Sequence, residues 1–119
     1  MIKTEKLRLE PLTYWKITLP NGAEIGEIHI KGEPAGGTVE IGYGVERQYR
    51  NRGYMREALG AVTAHLLALD GITAVTARTL AENYASQNVL AACGYTQTGK
   101  SGKELVWEIN EKDTHSVIG

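Results

Sequence analysis

The stretch EIGYGVERQYRNRGYMREAL, Glu40 to Leu59, changes character twice. From Thr38 to Val45 apolar residues alternate with polar or small ones, so a strand would put Val39, Ile41, Tyr43 and Val45 on one face and Thr38, Glu40, Gly42 and Gly44 on the other. Two glycines beside a carboxylate leave room on that second face for a ligand or another backbone. From Met55 the apolar residues recur at Leu59, Val62, Leu66 and Leu69, in steps of four, three, four and three, which is an amphipathic helix. Between the two lies ERQYRNRG. Four of the six arginines in the chain, Arg47, Arg50, Arg52 and Arg56, fall in one ten-residue window there. The first amides of a helix are unpaired and its dipole is positive at that end, so an arginine-rich strand-to-helix junction suits phosphate, and Gly53 lets the backbone come close.

Upstream, LRL (Leu7 to Leu9), YWKITL (Tyr14 to Leu19) and AEIGEIHI (Ala23 to Ile30) read as strands, the last two joined as a hairpin through Pro20-Asn21-Gly22. KGEPAGG, Lys31 to Gly37, reads as a Gly/Pro loop. Downstream, Gly71 marks the stop of the first helix, AVTARTL (Ala74 to Leu80) is a strand, and Asn83 to Cys93 is a second helix with Asn83 as N-cap and Gly94 as its stop. YTQT and KELVWEI (Lys103 to Ile109), joined through Gly99 to Gly102, close the order β, β, β, β, α, β, α, β, β. The strand, helix, strand unit from Thr38 to Leu80 predicts two parallel neighbours with a right-handed crossover. The expected fold class is therefore α+β: one domain over residues 1–119, with a mixed, mostly antiparallel sheet, two principal helices and a frayed tail over residues 110–119.

Composition narrows the function. At 119 residues and 13.0 kDa the chain suits one domain, and 13 basic against 14 acidic residues give a net charge of -1, too little to hold nucleic acid or an anionic membrane by overall field. Apolar runs such as ALGAV fall well short of the roughly 18 residues of a membrane span, and MIKTEKLRLE lacks the apolar core of a signal peptide, so the expected location is cytoplasmic. Cys93 is the only cysteine, which excludes an internal disulfide and a multi-cysteine zinc site, and no metal is expected. Neither a nucleotide P-loop nor a dinucleotide G-x-G-x-x-G fingerprint is present. Fourteen glycines and no phenylalanine suggest that backbone geometry matters more here than aromatic bulk.

Together with AENYASQNVLAACGY downstream, the opening stretch resembles the GNAT superfamily of N-acetyltransferases, and within it the ribosomal-protein N-terminal acetyltransferase branch, over roughly residues 4 to 109. The family's Arg/Gln-x-x-Gly-x-Gly/Ala signature, whose amides hold the pyrophosphate of coenzyme A, is matched by Arg50-Asn51-Arg52-Gly53-Tyr54-Met55, with Met where Gly or Ala is preferred. A second element, Glu-Asn-x-x-Ser-x-x-Val-Leu with a glycine and an aromatic soon after, is matched by Glu82, Asn83, Ser86, Val89, Leu90, Gly94 and Tyr95. The resemblance implies acetyl-coenzyme A as co-substrate, Asn83 as a partner of its pantetheine arm, and a backbone N–H in the Tyr43 to Val45 region, with Tyr43 and Val45 as cofactor-binding positions, for the oxyanion. The tyrosine that many members place seven residues after the helix-opening asparagine, as proton donor to the leaving thiolate, is Leu90 here. Ser86, which the ribosomal branch has at this point, is implied to stabilise that thiolate; its alternative is a first-turn serine bonding helix amides.

An amine acceptor with a pKa of about 10.4, or about 7.7–8.0 for an α-amino group, must lose a proton to attack a thioester. Glu40 is the candidate base, directly or through water, with a structural carboxylate bonded to backbone or arginine as the alternative; Glu27 and His29 are lesser candidates. Asn83 is also read as a cap, Cys93 as a packing residue and His65 as structural, while His115 lies in the tail. The helices that in the family follow the first strand and wall the acceptor site have no counterpart where LRLEPLT runs into YWKITL. A homodimer partner is one source of that wall, and the acceptor stays open between a peptide N-terminus and a small-molecule amine. The rival reading is a non-catalytic acyl-coenzyme A-binding module. Nucleic-acid binding through the arginines with Tyr49 and Tyr54 is disfavoured by the net charge of -1 and the lack of a second basic stripe.

Overall fold

The structure, a computed structural model, describes residues 2–3, 8–9 and 14–111. Strands β1 (Ile2–Lys3), β2 (Arg8–Leu9), β3 (Tyr14–Thr18), β4 (Glu24–Ala35) and β5 (Thr38–Val45) run in sequence, each antiparallel to the one before. Helix α1 (Tyr54–Leu67) then crosses to β6 (Ala74–Leu80), parallel to β5, and α2 (Tyr84–Ala92) leads to β7 (Thr96–Ser101) and β8 (Glu104–Asn110). The sheet order is β1-β2-β3-β4-β5-β6-β8-β7, so the last strand inserts between β6 and the edge strand β7. Parallel β5 and β6 within an otherwise antiparallel sheet, and two α-helices among the described residues, are as the sequence predicts.

Side chains directly opposite one another in paired strands share a face. One face therefore carries the rows Trp15–Ile28–Tyr43, Ile30–Ile41–Ala77–Trp107 and Val39–Val75–Ile109. These pack with Met55, Ala58, Leu59, Val62 and Leu66 of α1 and Leu90 of α2 in one core. Burial of each aliphatic side chain is worth about 1.5–3 kcal/mol, so this face holds both helices on the sheet. The opposite face carries Tyr14–His29–Gly42 and Lys31–Glu40–Thr76–Glu108. It is laced by ion pairs: Glu40 Oε2 lies 3.6 Å from Lys31 Nζ and 3.7 Å from Arg78 Nε, and Arg78 Nη1 lies 3.8 Å from Glu104 Oε1. All four side chains are partly exposed, and such pairs contribute only about 0–1 kcal/mol each.

Several boundaries depart from the sequence reading. Lys31 to Ala35, read as loop, continue β4, because a register shift between Lys31 and Ala35 absorbs Gly32 and Pro34. Helix α1 ends at Leu67, two residues before the apolar stripe does; Leu69 lies beyond it at 45% exposure, and Gly71 (φ 87°) serves a turn closed by Ile72 N–H to the Leu69 carbonyl at 3.2 Å rather than the helix end itself. Strand β7 runs through Gly99, taken as part of a connection, to Ser101, with a register shift between Gln97 and Gly99. Asn110, assigned to a frayed tail, is paired with Ala74. Strand β1 and a 3-10 turn at Arg47–Tyr49 carried no periodic signal because each is three residues or fewer. Leu7 of the LRL run and residues 112–119 of the tail lie outside the described residues.

Leu59, at 0% exposure, tests which face carries the stability. Leu59→Ala is expected to cost ~2–5 kcal/mol in urea denaturation, and Lys31→Ala, across the sheet, under about 1 kcal/mol.

Candidate active site

Strands β5 and β6 stay together only over Thr38–Ile41 and Ala74–Ala77. Beyond that point β5 continues against β4 and β6 continues against β8, so a gap opens between Gly42–Val45 on one side and Arg78–Leu80 on the other. In an antiparallel ladder the residues that exchange hydrogen bonds with the partner strand alternate with residues whose N–H and C=O point away. The Glu46 N–H bonds the Ile25 carbonyl at 2.7 Å. Counting back in twos, Gly44 and Gly42 face β4, and the backbone groups of Tyr43 and Val45 face the gap.

After β5 the chain makes the 3-10 turn and enters α1 through two left-handed residues, Asn51 (φ 61°) and Gly53 (φ 81°). The conformation at Gly53 suits glycine, which has no Cβ to clash. Gly53 is also the N-cap of α1 and gives it no side-chain cap bond. The first internal bond of the helix is Glu57 N–H to the Gly53 carbonyl, 3.0 Å, which leaves the amides of Tyr54, Met55 and Arg56 without a helical acceptor. Helix α2 starts differently. The Asn83 side chain accepts from the Ser86 N–H at 3.2 Å, so its N-cap role is seen directly.

A cleft of about 630 Å³ joins these parts, lined at the strand by Tyr43, Gly44 and Val45, at the loop by Tyr49, Arg50, Asn51 and Gly53, and by the first turns of α1 and α2. Of the site residues read from sequence, Tyr43, Val45, Arg50, Asn51, Gly53, Tyr54, Met55, Asn83 and Ser86 line it. Arg50 Nε also donates to the Val45 carbonyl at 3.3 Å, tying loop to strand. Arg52 is not part of the lining: its guanidinium lies over the Tyr49 ring, 5.8 Å from the centroid, on a side chain that itself packs against Tyr54. Arg56 lines the cleft instead, with Asn88 and Val89 of α2. The helical period could have found Arg56, since it is in the first turn of α1 with Met55 buried beside it; Asn88 had no such signal.

Tyr43 and Ser86 meet inside the cleft, with Tyr43 Oη and Ser86 Oγ 2.6 Å apart. Burial pushes the Tyr43 phenol up to about 12 against the partial opposition of the Ser86 bond, and pushes the Cys93 thiol up to about 11, offset in part by Arg56. Cys93 Sγ donates to the Arg56 carbonyl at 3.4 Å, and buried Tyr95, also raised, pairs with Thr63 at 2.7 Å. Glu40 lies apart from these groups, on the opposite face of the sheet and in the ion pairs described above. On that face the space expected at two glycines exists at one: a Cβ on Gly42 would meet the His29 ring at 2.7 Å, while one on Gly44 would meet nothing within 4 Å. Among the described residues no group of three or more His, Cys, Asp or Glu is placed to hold a metal ion, and no helix is long and apolar enough to cross a membrane.

Residues 2–96 match the acetyltransferase (GNAT) domain family. The chain belongs to the GNAT family. It is 30% identical over 95 residues to an uncharacterised N-acetyltransferase, YjdG, of Bacillus subtilis, covering 78% of this chain and 56% of that protein. This chain thus spans little more than half the length of that curated relative. Among solved structures, a GNAT-family acetyltransferase from Bacillus anthracis superposes with a TM-score of 0.75 at 21% identity, over 84% of this chain and 67% of that one. Mycobacterium smegmatis RimJ, solved in complex with CoA-disulfide, gives 0.73 at 21% identity, over 88% and 58%. At such identities the agreement with this GNAT domain is one of fold.

The buried acids in and beside the cleft set an alkaline limit. Cys93, Tyr43 and Tyr95 all hold their protons more tightly folded than unfolded, so the unfolded chain releases protons first as pH rises. Stability is expected to be unaffected by these groups below their unfolded values of 9.0 for Cys93 and 10.0 for the tyrosines, and to fall above them as pH climbs through their folded values. Denaturant melts at successive pH values check this, with Cys93→Ala delaying the onset.

Proposed function

We propose that the chain moves an acetyl group from acetyl-coenzyme A to a primary amine, a peptide N-terminus or a small-molecule amine, by direct attack on the thioester. The observation that supports this best is the continuity of the cleft: an uncapped helix start with Arg50 and Arg56 at one end, an open strand edge in the middle, and a hydroxyl pair at the far end. The amides of Tyr54, Met55 and Arg56 suit a pyrophosphate, which a helix N-terminus and guanidinium groups both favour. The amide-bearing pantetheine arm would lie in the gap as a short strand, bonding the backbone of Tyr43 and Val45 where β6 has withdrawn, with Asn83 beside it. An N–H in the same Tyr43 to Val45 segment would meet the oxyanion of the tetrahedral adduct, and Ser86 would stabilise the departing sulfur.

The amine would arrive from the other face. Glu40 lies on the last stretch of β5 still paired with β6, so a thioester at the closed end of the gap would emerge near its carboxylate, which would accept the amine proton directly or through water. Lys31 and Arg78 hold that carboxylate in place. One observation favours the non-catalytic rival: among the described residues, the cleft lining contains no carboxylate and no histidine. Glu40→Gln is therefore expected to reduce kcat about a hundredfold or more with coenzyme A affinity retained. Binding of acetyl-coenzyme A without turnover across a broad amine panel would instead establish the rival.

Affinity should map the phosphate end. A hydrogen bond to a charged group is worth ~1.5–3 kcal/mol, so Arg50→Ala and Arg56→Ala are each expected to weaken coenzyme A about tenfold or more by calorimetry. Arg52→Ala, with its guanidinium held on Tyr49, is expected to weaken it less, and the Arg50/Arg52 double alanine variant more than either single one. Unchanged affinity in the double variant together with Arg56→Ala would remove the phosphate assignment.

A further inference from the structure

We propose that the Tyr43 phenol, paired with Ser86, is the hydrogen-bond donor to the departing sulfur, filling from strand β5 the role for which Leu90 on helix α2 has no group. The inference rests on reading the cleft as the acetyl-coenzyme A site. Leu90 is at 0% exposure in the core, so the helical position that would carry a donor is turned away from the cleft altogether. Ser86 is in the cleft, but an aliphatic hydroxyl alone is a poor proton donor. The structure gives it a partner: Tyr43 Oη lies 2.6 Å from Ser86 Oγ, and the same phenol donates to the Ser86 carbonyl at a long 3.3 Å, the bond its O–H would exchange for one to the sulfur.

Position favours this pair over the hydroxyls of Tyr49 and Tyr54, which line the cleft at the loop and the start of α1. The gap closes where Ile41 and Ala77 pair, so whatever lies in it with its phosphates at α1 ends beside Tyr43. The Tyr43 ring projects from the strand whose backbone lines that gap, toward the side of the sheet on which α2 brings Ser86. Tyr95 and Thr63 form a similar hydroxyl pair, but they are buried in the packing between α1 and the sheet and line no part of the cleft. The groups around Tyr43 are Ser86 on α2, Cys93 at its end and Tyr95 beyond it, and Arg56 on α1 acts on Cys93. With Cys93 at about 11 and Tyr43 at about 12, both keep their protons wherever a thiol of ordinary pKa near 8.5 titrates. A neutral phenol that holds its proton so firmly donates a hydrogen bond to the sulfur without surrendering the proton.

The step balances without a further reagent. The amine nitrogen forms a bond to the carbonyl carbon, the carbon–sulfur bond breaks, and its electron pair leaves on sulfur. The nitrogen's proton goes to the base. The sulfur departs as a thiolate held by the Tyr43 O–H and takes up a proton from solvent on release, giving free coenzyme A and the amide.

The test needs no knowledge of the acceptor. The thiol of coenzyme A bound to the protein can be titrated through the ultraviolet absorbance of its thiolate, with affinity measured separately by calorimetry and Cys93→Ala as the background. A donor to the charged form lowers a thiol pKa, so Tyr43→Phe, which keeps the ring and its packing, is expected to raise the bound thiol by about one unit or more, a tenfold change in ionisation. Ser86→Ala should move it the same way by less, and the double variant should fall short of the sum because the hydroxyls act as one unit. A bound thiol that titrates alike in wild type and Tyr43→Phe, with affinity intact, overturns the proposal while leaving the cleft assignment standing. Failure of the wild-type protein to bind coenzyme A overturns both.

Discussion

The parting of β5 from β6 after four residues is the constraint on which the rest of the structure depends. Each strand is fully occupied on its outer side, β5 by β4 as far as Val45 and β6 by β8 as far as Leu80. The sheet is thus two complete sub-sheets sharing a short parallel seam. Backbone donors and acceptors in a protein interior must find partners, and the seam's early end leaves those of Tyr43 and Val45 facing open space at the edge of a cleft. Arg50 satisfies the Val45 carbonyl. The remaining edge is what an extended, amide-containing ligand can complete. The same divergence carries β5 toward α1 and β6 toward α2, so one geometrical event creates the gap and sets two helix N-termini at its mouth.

The asymmetry of the sheet follows from where the helices sit. Both are buried in one core with the Trp15, Ile41 and Val75 rows, and the opposite face carries charged side chains and a half-buried histidine on β3, β4, β5 and β6. An apolar second face would need a covering layer. Here the Lys31, Glu40, Arg78 and Glu104 chain lets that face stand wet at little energetic cost either way. This is also why Glu40 has two readings that do not compete. The ion pairs that make it structural also fix where its carboxylate stands on that face.

Much of this was legible in the residues. Alternation over Thr38 to Val45 assigned the correct faces, because a period of two leaves no freedom once Val39 and Ile41 must be buried. Asn83 announced its cap because only a short polar side chain can reach back to the Ser86 amide. The sites that were not legible depend on which of several equivalent side chains wins a contact. Arg50, Arg52 and Arg56 look alike in a string of letters, but cation–π capture by Tyr49 takes Arg52 out of the cleft and one helical turn brings Arg56 in. Gly42 looked as open as Gly44, and is closed by an imidazole from the neighbouring strand that no local pattern could place.

Met55 departs from the family signature without its side chain entering the path of its amide. Where the signature prefers a small residue, the need is for the amide to reach the ligand, and a bulky side chain obstructs only if it shares the amide's direction. In α1 it does not. The Met55 side chain is buried with Leu59 and Val62 in the core, while its N–H, one of the first three of the helix, has no helical acceptor and points out of the N-terminus. Side chain and amide serve opposite sides of the same residue, one anchoring the helix to the sheet and the other left without a helical acceptor. Leu90 is the converse case. There the signature concerns a side chain rather than an amide, and the Leu90 side chain is buried in the core, while the Tyr43 phenol in the cleft comes from the strand across from it.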